Sequence, residues 1–476
     1  MKIRQCISLL WSRGLRTSAR FQKQRPSYDR NIRPQLPYIY PSGRVLMSQE
    51  ESVARESFNL LTSTAYDIQQ LFDRSELTAE SLVEQVLDQV DRHNGNGLDL
   101  RALISVAPRQ KLLERAQLLD QERADRKTRS PLHGIPFIVK DAIATDPKLG
   151  MDTTAGSWAL VDSATWKRSC STKGSAVGVS AGFGIVSLGV ETDGSIVSPA
   201  SRAALYAMKP TIGTVSMDGV VPVTKSLDSV GAMARSPVDL AVVMEMSQAK
   251  GPGYGGGLSQ LMTQKWDGLR IGFRKEYHSV MDILSDAGIH VEYPVALPLG
   301  EKVWPEIGDI MSFEFQPAFN HYLETLVLSP VRNLKELVEW NRQHTDTELP
   351  KEHPSQSYLE NALKCKISAT ENANTLASLR KIAGPDGIDK VLNLFELDAV
   401  AALADSPISS VASAAGYPVA TMPLGVLDVN GRPFGISMTA SKHQEKKLFQ
   451  IMSAWEALIS RQPPPALVEE LNQALR

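Results

Sequence analysis

The stretch GIVSLGVETDGSIVSP, residues 184–199, starts as a small apolar strand and ends as a turn that displays a hydroxyl. Gly194 removes side-chain bulk immediately before Ser195, so a reactant has room to approach the backbone. The successive N–H groups of such a turn form a nest that holds negative charge developing on an oxygen. A serine in this position is a candidate nucleophile, and it needs a base. Lys140 closes the apolar run Ile135 to Val139 in HGIPFIVKDAI. A lysine at the dry mouth of a strand loses hydration, which favours the neutral amine that a base requires. Taken singly, the two residues also fit an ordinary tight turn and a lysine that snorkels to solvent.

Four other constellations compete. Gly178-Val179-Ser180-Ala181-Gly182 has the G-x-S-x-G form of a nucleophile elbow, with His443 far downstream. That motif requires a strand before the serine and a helix after it; here helical text precedes and a strand follows. Ser247/Lys250 and Ser378/Lys381 have Ser-x-x-Lys spacing but lack the companion Ser-Asp-Asn and Lys-Thr-Gly motifs, which leaves chance as the explanation. The eight histidines form no H-E-x-x-H pattern, and Cys6, Cys170 and Cys365 do not pair with them, so no metal site is expected. The glycine-rich AKGPGYGGGL, 249–258, has neither a feeding strand nor a following Lys-Ser/Thr and reads as a surface loop.

The elements around these residues alternate between helix and strand. TAYDIQQLF and SELTAESLVEQVLDQVDRHN read as helices, the second starting at Thr78, and APRQKLLERAQLLDQERADRK as a third. GSAVGVSAGFG reads as a small-residue helix, IVSLGV and GLRIGF as strands, and residues 305–395 as mostly helical. PLGVLDVNGRPFGISM reads as a hairpin turned at Asn430-Gly431, and EKKLFQIMSAWEAL as a closing amphipathic helix. This alternation favours a layered α/β sheet. With 42% hydrophobic and 22% charged residues in a 476-residue chain, a large core is available. A net charge of -2 and a pI near 6.5 give no footprint for nucleic acid or anionic lipid, and no apolar run is long enough for a membrane span. Three scattered cysteines fit an intracellular, reducing setting. Residues 1–46 form a basic segment expected to be unpacked, and 47–476 one large domain. The first 25 residues hold seven Lys or Arg and no acid, the composition of a mitochondrial transit peptide, of a disordered basic tail, or of sequence upstream of a true start at Met47; the compartment is otherwise cytoplasmic.

Lys140 in HGIPFIVKD, Ser171 in CSTKGSAVGVSAG and Ser195 in GVETDGSIVSPASRAALYAMKPT together resemble the amidase signature family. TTAGSWAL, GTVSMDGVVPVTKSLDSVGAMAR and SAAGYPVATMPLGVLDVNGRPFGISM extend the likeness over roughly residues 60–460, in the right order. The resemblance implies an α/β/α sandwich around a mixed β-sheet. It implies hydrolysis of a carboxylic amide, a small-molecule substrate, through a seryl acyl-enzyme, with no cofactor. Ser195 would be the nucleophile, Ser171 a relay serine entered through a cis peptide, and Lys140 the base. The N–H groups of Thr192, Asp193, Gly194 and Ser195 would form the oxyanion hole. Free-standing fungal amidases are the nearer pattern; the amidotransferases that act on misacylated tRNA are the further one.

The chain departs from the family in one region. The interval from Ser171 to Ser195 is the usual one, but that from Lys140 to Ser171 is shorter by about one βα unit, roughly 30 residues. Cys170 to Gly174 replaces the family's Gly-Ser-Ser-Gly/Ser-Gly and brings in Lys173. The expectation is therefore an amidase signature fold lacking one core βα unit, with a catalytically silent member as the alternative. The oligomeric state is not written in the sequence.

Overall fold

The computed structural model describes residues 58–145, 149–151, 153–160, 172–248, 257–274, 277–297, 303–326, 329–351 and 354–474. Among the described residues, nine strands form one mixed sheet: β1 Phe137–Val139, β2 Val186–Glu191, β3 Tyr206–Lys209, β4 Ser229–Ala234, β5 Arg270–Phe273, β6 His290–Glu292, β7 Ala399–Leu403, β8 Val419–Val426 and β9 Pro433–Thr439. Their order is β1-β2-β4-β3-β8-β9-β7-β5-β6. β1–β2, β5–β7 and β5–β6 are parallel; the other neighbours are antiparallel.

Alternation along each strand sends side chains to two apolar layers. Ala232 and Ala234 of β4 join Val190, Tyr206, Met208, Leu240, Phe449 and Trp455 on one face. Met233, between them, joins Ile138, Ala176, Val179, Ile196 and Ala200 on the other. Helices Pro237–Met246 and Glu445–Leu458 cover the first face, and Thr172–Ser180 and Val197–Ser201 the second. This is the expected α/β/α sandwich. Close strand approach demands small residues: a Cβ on Gly231 would lie 2.1 Å from the Met208 carbonyl oxygen.

Local signals act where they stand. Thr78 caps the helix Ala79–His93 by accepting the Ser81 N–H at 3.1 Å. Ser236 caps Pro237–Met246, with proline in the first turn. The hairpin turns at Leu427–Arg432, where Gly431 has φ +65. Residues 303–394 supply successive helices beginning with Val303–Thr325. The strand expected from Ile135 starts only at Phe137, because the Ile135 N–H turns back to Leu132 and Pro136 has none to give. β1 stands at one edge of the sheet, with Phe137 61% exposed. The expected loss of a βα unit falls on residues 161–171, which lie outside the described residues, as do 1–46 and most of the glycine-rich loop.

Candidate active site

β1 and β2 run parallel, and their carboxyl ends lie side by side, the place where open α/β sheets bind ligands. Lys140 follows β1 directly. Its N–H continues the ladder to Leu188, and its side chain, 6% exposed, folds across the end of β2 so that Nζ donates to the Val190 carbonyl at 2.7 Å. The next residue, Asp141, fastens the TTAGS stretch. Its carboxylate accepts the Thr154 N–H at 2.9 Å, the Thr154 hydroxyl at 2.5 Å and the Gly156 N–H at 3.2 Å. The Ser157 hydroxyl in turn donates to Glu348 at 3.1 Å, which ties this stretch to the helix Thr345–Glu348.

From Val190 the chain passes through Glu191 into the turn Thr192–Ser195 and the short helix Val197–Ser201. Glu191 is fully buried. Its Oε2 accepts the N–H groups of Ile196 at 2.6 Å and Val197 at 3.0 Å, a carboxylate at the positive end of a helix. Between these anchors Gly194 adopts φ +75, in the region that glycine occupies freely. A Cβ there would meet Ser198 Oγ at 3.0 Å and Ser409 Oγ at 3.3 Å. Ser195 is half-buried and opens the helical turn.

Charged groups are packed beneath the turn. Asp193 Oδ2 accepts the Ser410 hydroxyl at 3.3 Å, from the helix Ile408–Ala415. Burial and then the Glu191 charge push the Asp193 carboxyl up to about 7, against the pull of Ser410 and Lys209. Lys209, fully buried at the end of β3, donates to the carbonyls of Pro210 and Tyr417 at 2.9 Å each. Burial lowers its amine to about 8, while Glu191, Glu445 and Asp193 hold it up. Asp228 precedes β4. Its Oδ1 accepts the hydroxyls of Thr192 at 2.5 Å and Thr224 at 3.3 Å, and its Oδ2 the N–H groups of Val223 at 2.7 Å and Thr224 at 3.0 Å. Burial raises its carboxyl, and these donors and the Lys140 charge pull it back.

The structure thus brings Lys140 to the strand whose end carries Thr192, Asp193, Gly194 and Ser195. Ser171 lies outside the described residues, next to the helix Thr172–Ser180. Ser180 is excluded as a nucleophile: it is 2% exposed at the end of that helix, and its hydroxyl donates to the Ala203 carbonyl at 2.8 Å. His443 sits in a turn by Thr211. Ser247 bonds its own helix at Val243, and Lys381 faces Asp386 at 4.0 Å on the surface. Sequence reasoning missed Glu191, Lys209 and Asp228. Lys209 repeats the signal that marked Lys140, an apolar run closed by a lysine, in LYAMKP. Among the described residues, no cluster of three or more His, Cys, Asp or Glu is disposed to hold a metal, and no helix is long and apolar enough to cross a membrane.

Comparison with known proteins adds to this geometry. The profile of the family described as Amidase matches residues 81–173 and 167–253, two segments that meet where the sequence departs from the family pattern. A probable amidase of Arabidopsis thaliana is 30% identical over 483 aligned residues, covering 86% of this chain and 92% of the relative. A glutamyl-tRNA(Gln) amidotransferase polypeptide of Chloroflexus aggregans is 30% identical but covers only 42% of this chain and 51% of the relative. Among solved structures, native peptide amidase from Stenotrophomonas maltophilia superposes with a TM-score of 0.74 at 28% identity, covering 84% of this chain and 98% of that one.

Proposed function

This chain belongs to the amidase family and hydrolyses amide bonds, and from that premise we propose that it does so through an acyl-enzyme on Ser195, with Lys140 as base. In this reading neutral Lys140 takes a proton from Ser171, which takes one from Ser195. Ser195 Oγ attacks the amide carbonyl carbon, and the oxygen becomes an oxyanion facing the N–H groups of Thr192, Asp193, Gly194 and Ser195. Each well-aimed donor contributes about 3 kcal/mol. The relay returns the proton to the leaving nitrogen as the C–N bond breaks, and water then releases the acid by the same route. The observation that carries the reading is the 2.7 Å bond from Lys140 Nζ to Val190 O, which draws the amine to the strand end that turns into Ser195.

The likeness to a peptide amidase makes peptide amides the first substrate class to assay, and the helices between residues 303 and 394 the wall that selects among them. We further propose that residues 47–476 act as one catalytic domain. The acid-free, Arg-rich start supports mitochondrial import, which imaging of a fluorescent fusion of residues 1–46 tests.

The decisive experiment is labelling with a serine-directed fluorophosphonate, followed by peptide mapping. A label on Ser195 that Ser195→Ala abolishes and Lys140→Ala slows is the expected result. A label elsewhere refutes the assignment. A folded chain that neither labels nor releases ammonia from peptide amides refutes it as well.

A further inference from the structure

One buried carboxylate stands beside both halves of this machinery, and the reaction as written does not use it. Glu191 faces Ser229 in the β2–β4 register, so one step beyond the ladder Thr192 meets Asp228. On the opposite side of β2, the Lys140 amine lies on the Val190 carbonyl. Carboxylate and amine therefore flank the end of one strand, at the point where it becomes the oxyanion turn, and their charges interact.

We propose that Asp228 is a positioning residue for acylation, which pins the oxyanion turn through the Thr192 hydroxyl and holds its negative charge against the Lys140 amine. The inference rests on the reading that Lys140 is the base and that the 192–195 amides receive the oxyanion. Two hydroxyls and two N–H groups converge on this 2%-exposed carboxylate, an acceptor set that favours the anion. During acylation the proton leaving Ser195 ends on Lys140 Nζ, and an ammonium forms. A fixed anion nearby is then worth more in the transition state than before it. The same anion makes the resting amine harder to deprotonate, so it raises the pH at which the enzyme becomes competent. The other ionisable groups packed around this strand end have their own engagements. Asp141 is held by Thr154 and Gly156, with Tyr322 of the helix Val303–Thr325 beside it. Glu191 caps the nucleophile helix, and Asp193 and Lys209 lie beneath the turn.

Asp228→Asn isolates the charge. Its amide oxygen keeps the Val223 and Thr224 N–H groups, and its NH2 faces the Thr192 and Thr224 hydroxyls, which turn to accept. The rate of fluorophosphonate labelling of Ser195, measured against pH, is the readout. The expected result is an acid limb displaced to lower pH by about one unit and a plateau lowered about tenfold. An unmoved acid limb overturns the electrostatic role, whatever the plateau does. Thr192→Val keeps the charge and removes the pin; it should lower the plateau about tenfold and leave the limb in place. An unchanged plateau overturns the pin, and it decides the matter alone should the Asn chain not fold. Failure of the underlying reading looks different: the wild-type chain does not label on Ser195, or Lys140→Ala labels at the wild-type rate.

Discussion

Replacing Gly194 by alanine tests the proposed oxyanion turn at its tightest point. At φ +75 an L-residue is disfavoured by about 1–2 kcal/mol. The new methyl would stand 3.0 Å from Ser198 Oγ and 3.3 Å from Ser409 Oγ, so either the hydroxyls or the turn must shift by a few tenths of an ångström. Ser409 is 6% exposed on a packed helix, and the two N–H bonds to Glu191 hold the far end of the turn. The Thr192–Ser195 segment is therefore the part that gives. Losing the aim of one donor costs about 3 kcal/mol, or roughly a hundredfold in rate, and losing two costs more. The expected outcome is a kcat/KM for peptide-amide hydrolysis reduced at least about a hundredfold, with folding stability reduced by only about 2 kcal/mol. Ammonia release and a denaturant melt, run on the same preparation, separate the two quantities. A variant within about threefold of the wild-type rate would refute the reasoning, because the turn would then tolerate what its geometry forbids.

Three further outcomes are expected. Ser180→Ala should lose about 1 kcal/mol from the missing bond to Ala203 and keep full labelling of Ser195; loss of labelling in a folded chain would revive the elbow. Arg235→Ala should cost about 3 kcal/mol or more in a urea titration, because the buried guanidinium serves the carbonyls of Val179, Gly184 and Ser63; a loss under about 1 kcal/mol would contradict that. Glu456 is held up to about 7 by burial and then by Asp239 and Asp67, so the folded state binds its proton more tightly than the unfolded chain does. That contribution is present below the ordinary carboxyl range and is lost as pH rises toward 7 and beyond. Glu456→Gln should therefore raise Tm at pH 8 more than at pH 5, and a difference independent of pH would count against it.

The parts of this site that could be read from the sequence are those whose signal is local. An apolar run stopped by Lys140, a strand flowing into Gly194-Ser195, and Thr78 as a helix cap each depend on residues a few positions apart. The partners of the turn were not legible, because sheet register rather than sequence distance makes them neighbours. Asp228 reaches Thr192 only because β4 lies antiparallel to β2, and Lys209 reaches Tyr417 only because β3 lies beside β8. Ser180 illustrates the converse: its motif matched, and the order of helix and strand around it correctly set it aside. The strand β1 begins two residues later than the apolar run because Pro136, although its carbonyl accepts from Ile185, has no N–H to donate, and Ile135 bonds back to Leu132.

The long reach of those supports bears on how the protein is made. Asp193 waits for Ser410, 217 positions later, and Lys209 for Tyr417, 208 positions later. A ribosome adding about 5–20 residues per second exposes Ser195 many seconds before either support exists. Until then the turn that carries Ser195 lacks two of its supports. On the proposed mechanism, a fragment ending before residue 410 should be inert toward the serine-directed probe expected to label the complete protein at Ser195.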